Sequence, residues 1–190
     1  MSLLAPVPLP QAYRLLNHGP TVLVGSRSGD RANVMAAAWA MPLDFDPPKV
    51  AVVIDKATLT RELVEASGVL SLSVPTVAQA ALTRAVGGMS GKDHADKLAR
   101  CAVAFTPAPN TGVPLVDGCI AHLECRLLPA SAHVAGPHDL FLAEVIAAWA
   151  DERVFSGGRW HFEQAPDALR SLHHVAGGHF YAIGQSVPPG

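Results

Sequence analysis

Lys56, Thr58 and Thr60 stand at alternate positions between an apolar run, residues 50–54 (VAVVI), and a stretch of helical period. A helix start offers backbone N–H groups without intrahelical acceptors and the positive end of the peptide dipoles, so two hydroxyls and an ammonium beside it make an anion site. The plainer alternative is a threonine cap with a solvated lysine. Residues 31–49 point to a second chemistry. Asn33 follows a turn-like Ser28-Gly29-Asp30-Arg31, Ala36, Ala37 and Ala38 leave the backbone unscreened for a flat polar ligand, and Trp39 could wall that ligand with an aromatic face. Here the alternative is a buried strand of small residues under a loop. Gly87–Gly91 before Lys92 is a weaker anion signal, because the spacing is not that of a Walker motif and Asp93 stands where Ser or Thr would bind magnesium.

Other chemistries lack their signatures. Nine histidines include no HxH or HExxH pair; His173 and His174 are adjacent and diverge in any regular element, and His133 and His138 fall in an expected turn, so no metal site is read. Ser26, Ser28 and Ser90 lack a nucleophile elbow, and no cysteine lies in a basic setting. What remains is backbone, an indole, hydroxyls and a lysine without an acid–base pair. That inventory suits holding a cofactor that does the chemistry itself.

Among the elements that must hold these residues, 21–24 (TVLV) and 33–41 read as a hairpin, and 50–54 as a strand buried on both faces. Residues 61–66 read as a helix stopped by Gly68 and capped by Thr58 or Thr60. VLSLSV (69–74) alternates as a half-buried strand does. Residues 76–86 read as a second helix, 87–91 as a loop, 93–99 as a short helix and 106–114 as a surface connection. Residues 119–128, with His122, Glu124 and Arg126 on one side, and 140–149 read as a hairpin across a His-rich turn at 132–139; 177–184 reads as a final strand. The expectation is a mainly β chain with inserted helices, a barrel carrying helices at its ends.

Composition sets the limits. The 190 residues are 49% apolar and 16% charged with a net charge of −2, which suits one domain over 1–190 and gives no basic face for nucleic acid. So little charge implies apolar surface that a second subunit covers. No apolar run is long enough to span a bilayer, no signal peptide is read, and Cys101, Cys119 and Cys125 are odd in number, so reduced thiols and a cytoplasmic location are expected.

In order along the chain, Thr21-Val22-Leu23-Val24, Asn33-Val34-Met35-Ala36-Ala37-Ala38-Trp39, Phe45-Asp46-Pro47-Pro48, Thr58-x-Thr60-x-x-Leu63-Val64-x-x-Ser67-Gly68, Ser90-Gly91-Lys92-Asp93, Ala121-His122-Leu123-Glu124-Cys125 and Gly177-Gly178-His179-Phe180-Tyr181 together resemble the flavin reductase-like family, the FMN-binding split barrel that includes flavoredoxins. The resemblance implies an antiparallel six-stranded split barrel, usually a homodimer with FMN near the interface (FAD being an alternative) and NADH or NADPH as co-substrate. It implies that Asn33, Met35, Ala36, Ala37, Ala38 and Trp39 run along the isoalloxazine and ribityl chain. Lys56, Thr58 and Thr60 would hold the phosphate, Ser90, Gly91 and Lys92 would close over the cofactor, and Tyr181 would lie nearby. The family often has Thr and Ser where Ala36 and Ala38 stand and asparagine at Ser73, so binding here would lean on backbone groups. Three functions compete: an NAD(P)H:flavin oxidoreductase, in one form the reductase half of a two-component oxygenase; an electron carrier or flavin-binding protein without nicotinamide turnover; and a heme- or metal-binding stress protein using the histidines. With no G-x-G-x-x-G present, the first two are left open by the sequence.

Overall fold

The computed structural model describes residues 3–187. The strands are β1 (Leu4–Pro6), β2 (Val22–Ser28), β3 (Arg31–Ala37), β4 (Ala40–Phe45), β5 (Pro48–Val53), β6 (Val69–Val74), β7 (Phe105–Pro107), β8 (Pro114–Val116), β9 (Ala121–Leu127), β10 (Leu140–Asp151), β11 (Phe155–Ser156), β12 (Arg159–Trp160), β13 (Leu172–Val175) and β14 (His179–Ala182). The helices are α1 (Leu59–Ser67), α2 (Ala80–Gly88), α3 (Lys97–Arg100) and α4 (Ser131–His138). One antiparallel sheet has eight strands rather than the expected six, in the order β3-β2-β6-β9-β10-β5-β4, with β1 added on β10. The additional pairing comes from the length of β10. Its twelve residues carry a bulge between Val145 and Ala147, and along one edge they pair with β5 and then with β1.

The ladder is not closed into a barrel. Its terminal strands, β3 and β4, meet only through the two-residue joint Ala38–Trp39, so the single strand expected over 33–41 is two strands at opposite ends of the sheet. The Trp39 carbonyl accepts the Val53 amide at 3.0 Å and so belongs to the β4–β5 side. One edge of β3 therefore has no strand partner among the described residues.

Alternation decides which residues enter which core. Leu70, Leu72 and Val74 of β6 and Ala121, Leu123 and Cys125 of β9 face the main core, with Val50, Val52 and Phe141. The intervening polar residues are also buried, which a half-solvated strand does not require. A hairpin of β7 and β8, formed within the expected surface connection, covers them: Ser71 donates to the Pro114 carbonyl, and Glu124 accepts from Asn110 N–H (3.1 Å), Asn110 Nδ2 (2.9 Å) and Thr111 Oγ1 (2.7 Å). A buried carboxylate with three donors is satisfied and holds the loop in place.

Two helical boundaries follow tertiary contacts rather than local preference. Helix α2 continues through Gly87 and Gly88, where a loop was expected, because a Cβ on Gly87 would come within 3.3 Å of the Ala36 Cβ. Two small residues let the helix approach β3 closely, which offsets the cost of about 1 kcal/mol per helical glycine. The His-rich turn is the helix α4 despite Pro137. Arg61 Nη2 donates to its Ala135 carbonyl at 3.0 Å, and Ser131 Oγ accepts the Leu142 amide at 3.1 Å. The helix expected over 93–99 is shorter and later, as α3.

The end of the chain packs on a histidine. His18 lies edge-on to Trp160 (ring centroids 5.1 Å apart) and near Phe162 (5.7 Å) and His173 (5.6 Å), with both ring nitrogens unpartnered among the described residues. Burial, with His173 adding, pushes His18 down to about 3, and burial pushes His122 down to about 4. Below about 6.5 the unfolded chain takes up protons that these folded rings refuse, so stability falls as pH drops from 6.5 towards 4 and is constant in this respect above 6.5. Urea unfolding at pH 5 should show about 2 kcal/mol less stability per histidine than at pH 7, and His18→Phe should remove its share. Equal stability at the two pH values would contradict the assignment.

Candidate functional site

The unpartnered edge of β3 borders two cavities, of about 460 and 660 Å3, that share Met35, Ala36, Gly87 and Gly88 as lining and so form one groove. The smaller is built around the start of α1. Thr58, rather than Thr60, caps that helix: its Oγ1 accepts the Arg61 amide at 3.2 Å and donates to the Asp55 carbonyl at 2.8 Å. The amides of Leu59 and Thr60, in the first turn, have no intrahelical acceptor. Thr60 is buried and its Oγ1 accepts from Asn33 Nδ2 at 2.8 Å, which ties α1 to β3. Asn33 Oδ1 has no protein donor among the described residues. Gly91 passes directly over it, since a Cβ there would lie 2.9 Å from both Asn33 Oδ1 and Leu59 Cδ2.

The turn over this cavity is held locally. Ser90 Oγ accepts the amides of Lys92 (3.2 Å) and Asp93 (3.4 Å), and Lys92 Nζ pairs with Glu62 Oε1 at 2.6 Å, which fastens the turn to α1. Opposite stands Lys97, only 3% exposed. Its ammonium has neither a carboxylate nor a carbonyl partner among the described residues, and burial lowers its pKa, with the Cys101 thiol opposing. A buried ammonium without a counter-charge is costly, and an anion in the cavity would supply the missing partner.

The larger cavity is flatter and more aromatic. Ala36, Ala37 and Ala38 form one wall, Trp39 stands at its edge 75% exposed, and His174 and Phe180 of the β13–β14 hairpin lie across from them. His138 and Asp139 close the end. Arg61 couples this end to the other cavity: its guanidinium pairs with Asp139 and, at 2.8 Å, with Glu65, and lies over the Phe141 ring 5.3 Å from its centroid.

Of the residues singled out in the sequence, Asn33, Met35, Ala36, Thr58, Thr60, Ser90, Gly91 and Lys92 line the smaller cavity. Met35, Ala36, Ala37, Ala38 and Trp39 line the larger. Three line neither. Lys56 is exposed in the turn before α1, and the Ser73 hydroxyl is buried against the Val116 amide and His122. Strand alternation turns Phe180 towards the groove and Tyr181 out to solvent. Lys97 and Arg84 escaped the sequence reading, which weighed His174 only as a metal ligand, Asp139 only as the end of a turn and Phe180 only as part of a matched stretch. For Lys97 the only trace is a lysine beside Leu98 and four residues before Cys101, on what becomes the inner side of a short helix. Among the described residues, no three His, Cys, Asp or Glu side chains converge as a metal site.

A groove with an anion-seeking ammonium and free helix amides at one end, and a flat wall of backbone and aromatic rings at the other, fits a planar ligand carrying a phosphate. Comparison with known proteins agrees in kind. A family model described as a flavin reductase like domain matches residues 14–168. The crystal structure of an FMN-binding domain of a flavin reductases-like enzyme from Shewanella baltica OS155 is similar with a TM-score of 0.95 and 53% identity, covering 98% of this chain and 97% of that one. A protein of Escherichia coli K12 described as uncharacterized protein YddH is 46% identical over the whole of both chains. The NADH-dependent FAD reductase of Streptomyces globisporus is 29% identical over 83% of this chain and 87% of its own. With the family model covering most of its length, the chain belongs to the flavin reductase-like family.

Proposed function

We propose that this protein is an FMN-binding oxidoreductase that passes hydride from NADH or NADPH to a flavin held along β3, with FAD as the alternative flavin. The observation that carries this reading is the orphaned Lys97 ammonium, beside the start of α1 and continuous with an aromatic-walled cavity. The flavin would supply the hydride-accepting ring, so the protein's task is binding and orientation. Lys97, Thr58, the first amides of α1 and the Ser90–Lys92 turn would bind the phosphate. Asn33 Oδ1 would accept from a ribityl hydroxyl. The backbone of residues 36–39 and the Trp39 indole wall the ring, while His174 and Phe180 leave an opposite face against which a nicotinamide stacks. Positioning provides most of such a rate, and no general base is required. An oxygenase or other redox protein would take the electrons onward. The runner-up is a flavoredoxin-like carrier that binds flavin without nicotinamide turnover.

Trp39, Met41, Leu43 and Phe45 are exposed along edge strand β4, beside the larger cavity. A contiguous apolar stripe on an edge strand requires cover, and a second copy of the chain would supply it.

Three outcomes test the reading. Under anaerobic conditions the FMN-loaded protein should lose its visible flavin absorbance on adding NADH or NADPH; a yellow protein unmoved by either makes it a carrier, and failure to take up FMN removes both. Lys97→Met should weaken FMN by about tenfold to a hundredfold, the range of one or two bonds to a charged group. The same change should leave the flavin-free protein equally or more stable in urea, since it removes an uncompensated buried charge; unchanged FMN affinity would overturn the phosphate assignment. Light scattering after gel filtration should give twice the 19.9 kDa chain mass, and Phe45→Asp should halve it. A native protein of single-chain mass with flavin bound would exclude the dimer.

A further inference from the structure

A third cavity, of about 600 Å3, shares no lining residue with the flavin groove. It lies beside the β7–β8 hairpin, on the face of the sheet that carries Ser73 and His122. His122 of β9 and Trp149 of β10, directly opposite each other, build one wall, and Ser73 of β6 stands behind His122 on its other side. Leu115 and Pro107 of the hairpin and Leu4 of β1 add apolar surface. The volume is within the range of small-molecule sites.

Its deepest polar group is the His122 ring, 1% exposed. His122 Nδ1 lies 2.9 Å from Ser73 Oγ, which accepts the Val116 amide at 3.3 Å. The serine's own hydrogen has no other acceptor among the described residues, so the hydroxyl donates to Nδ1 and the ring hydrogen sits on Nε2. Nε2 has no protein partner among the described residues, although the ring lines the cavity. Burial keeps the ring neutral, with its pKa down at about 4.

We propose that this cavity is a second small-molecule site, one that takes an uncharged aromatic carbonyl compound whose oxygen accepts the Nε2 hydrogen of His122 while its ring packs against Trp149 and Leu115. The donor calls for an acceptor, and the charges around it select against an anion. Asp117 and Asp151 both line the cavity, and its one guanidinium, Arg153, is held by Asp151 through Nε and Nη2. The site binds and does not react: burial raises the Cys119 thiol in its wall out of the range of a nucleophile.

The test is a titration of the full-length protein, with FMN added, using acetophenone, ethylbenzene and benzoate. The readout is the Nε2–H resonance of His122 in 15N-histidine-labelled protein. Acetophenone should move that resonance saturably and bind about tenfold tighter than ethylbenzene, the worth of one buried hydrogen bond; benzoate should bind more weakly than acetophenone. His122→Phe should reduce acetophenone to the level of ethylbenzene, and Leu115→Trp should abolish both. If His122→Phe does not fold, the comparison of acetophenone with ethylbenzene on the native protein decides. An unmoved His122 resonance overturns the proposal, whether because a second chain covers the cavity or because the ketone binds only in the flavin groove. Equal affinity for acetophenone and ethylbenzene overturns it as well.

Discussion

The architecture depends on one covalent constraint, the two-residue joint at Ala38–Trp39. Strands β3 and β4 are consecutive in the chain, yet one pairs with β2 at the start of the ladder and the other with β5 at its end. Two residues span only about 7 Å, so the sheet must curl until its ends come together. They meet without pairing. The free edge of β3 then needs partners that are not strands, and α2 approaches it through the Ala36–Gly87 contact. The groove between them follows from that geometry, and its flat wall is the stretch of small residues that leads into the joint.

Buried charge separates structure from function here. Glu124 has three donors, and Arg61 has Asp139, Glu65 and the Ala135 carbonyl; both are compensated and hold elements together. Lys97 is equally buried, borders a cavity and has no counter-charge among the described residues. A fold tolerates such a group where a ligand completes it, and the free amides at the start of α1 point to an anion in the same space. Arg61 joins the two ends of the groove, because its helix starts at the smaller cavity while its partner Asp139 lines the larger.

Local pattern was readable wherever one residue's neighbours in sequence are also its neighbours in space. The alternation of VLSLSV places leucines in the core, Gly68 stops α1 in a left-handed conformation, and Thr58 caps it. The pattern failed where distant contacts decide. Nothing local says that a hairpin from 105–116 buries Ser71, Ser73 and Glu124, that Ala36 draws Gly87 into a helix, or that Arg61 supports a helix through Pro137. The two strands beyond the expected six are β1, which pairs with the far end of the long β10, and the one gained where 33–41 divides into β3 and β4. On the groove, Asn33, Thr58 and Ser90 could be singled out because their types and turns are local signals. Lys97 could not, since its meaning lies in having no partner once three separate elements have closed around it.

The proposed function requires the smaller cavity to receive a phosphate joined to a ring in the larger one. Equilibrium titration of the native protein with FMN and with riboflavin, which differ only in that phosphate, tests it most directly. FMN should bind at least about tenfold tighter, the worth of a charge-assisted bond, and added salt should narrow the difference. Equal affinity for the two flavins at low salt would contradict it.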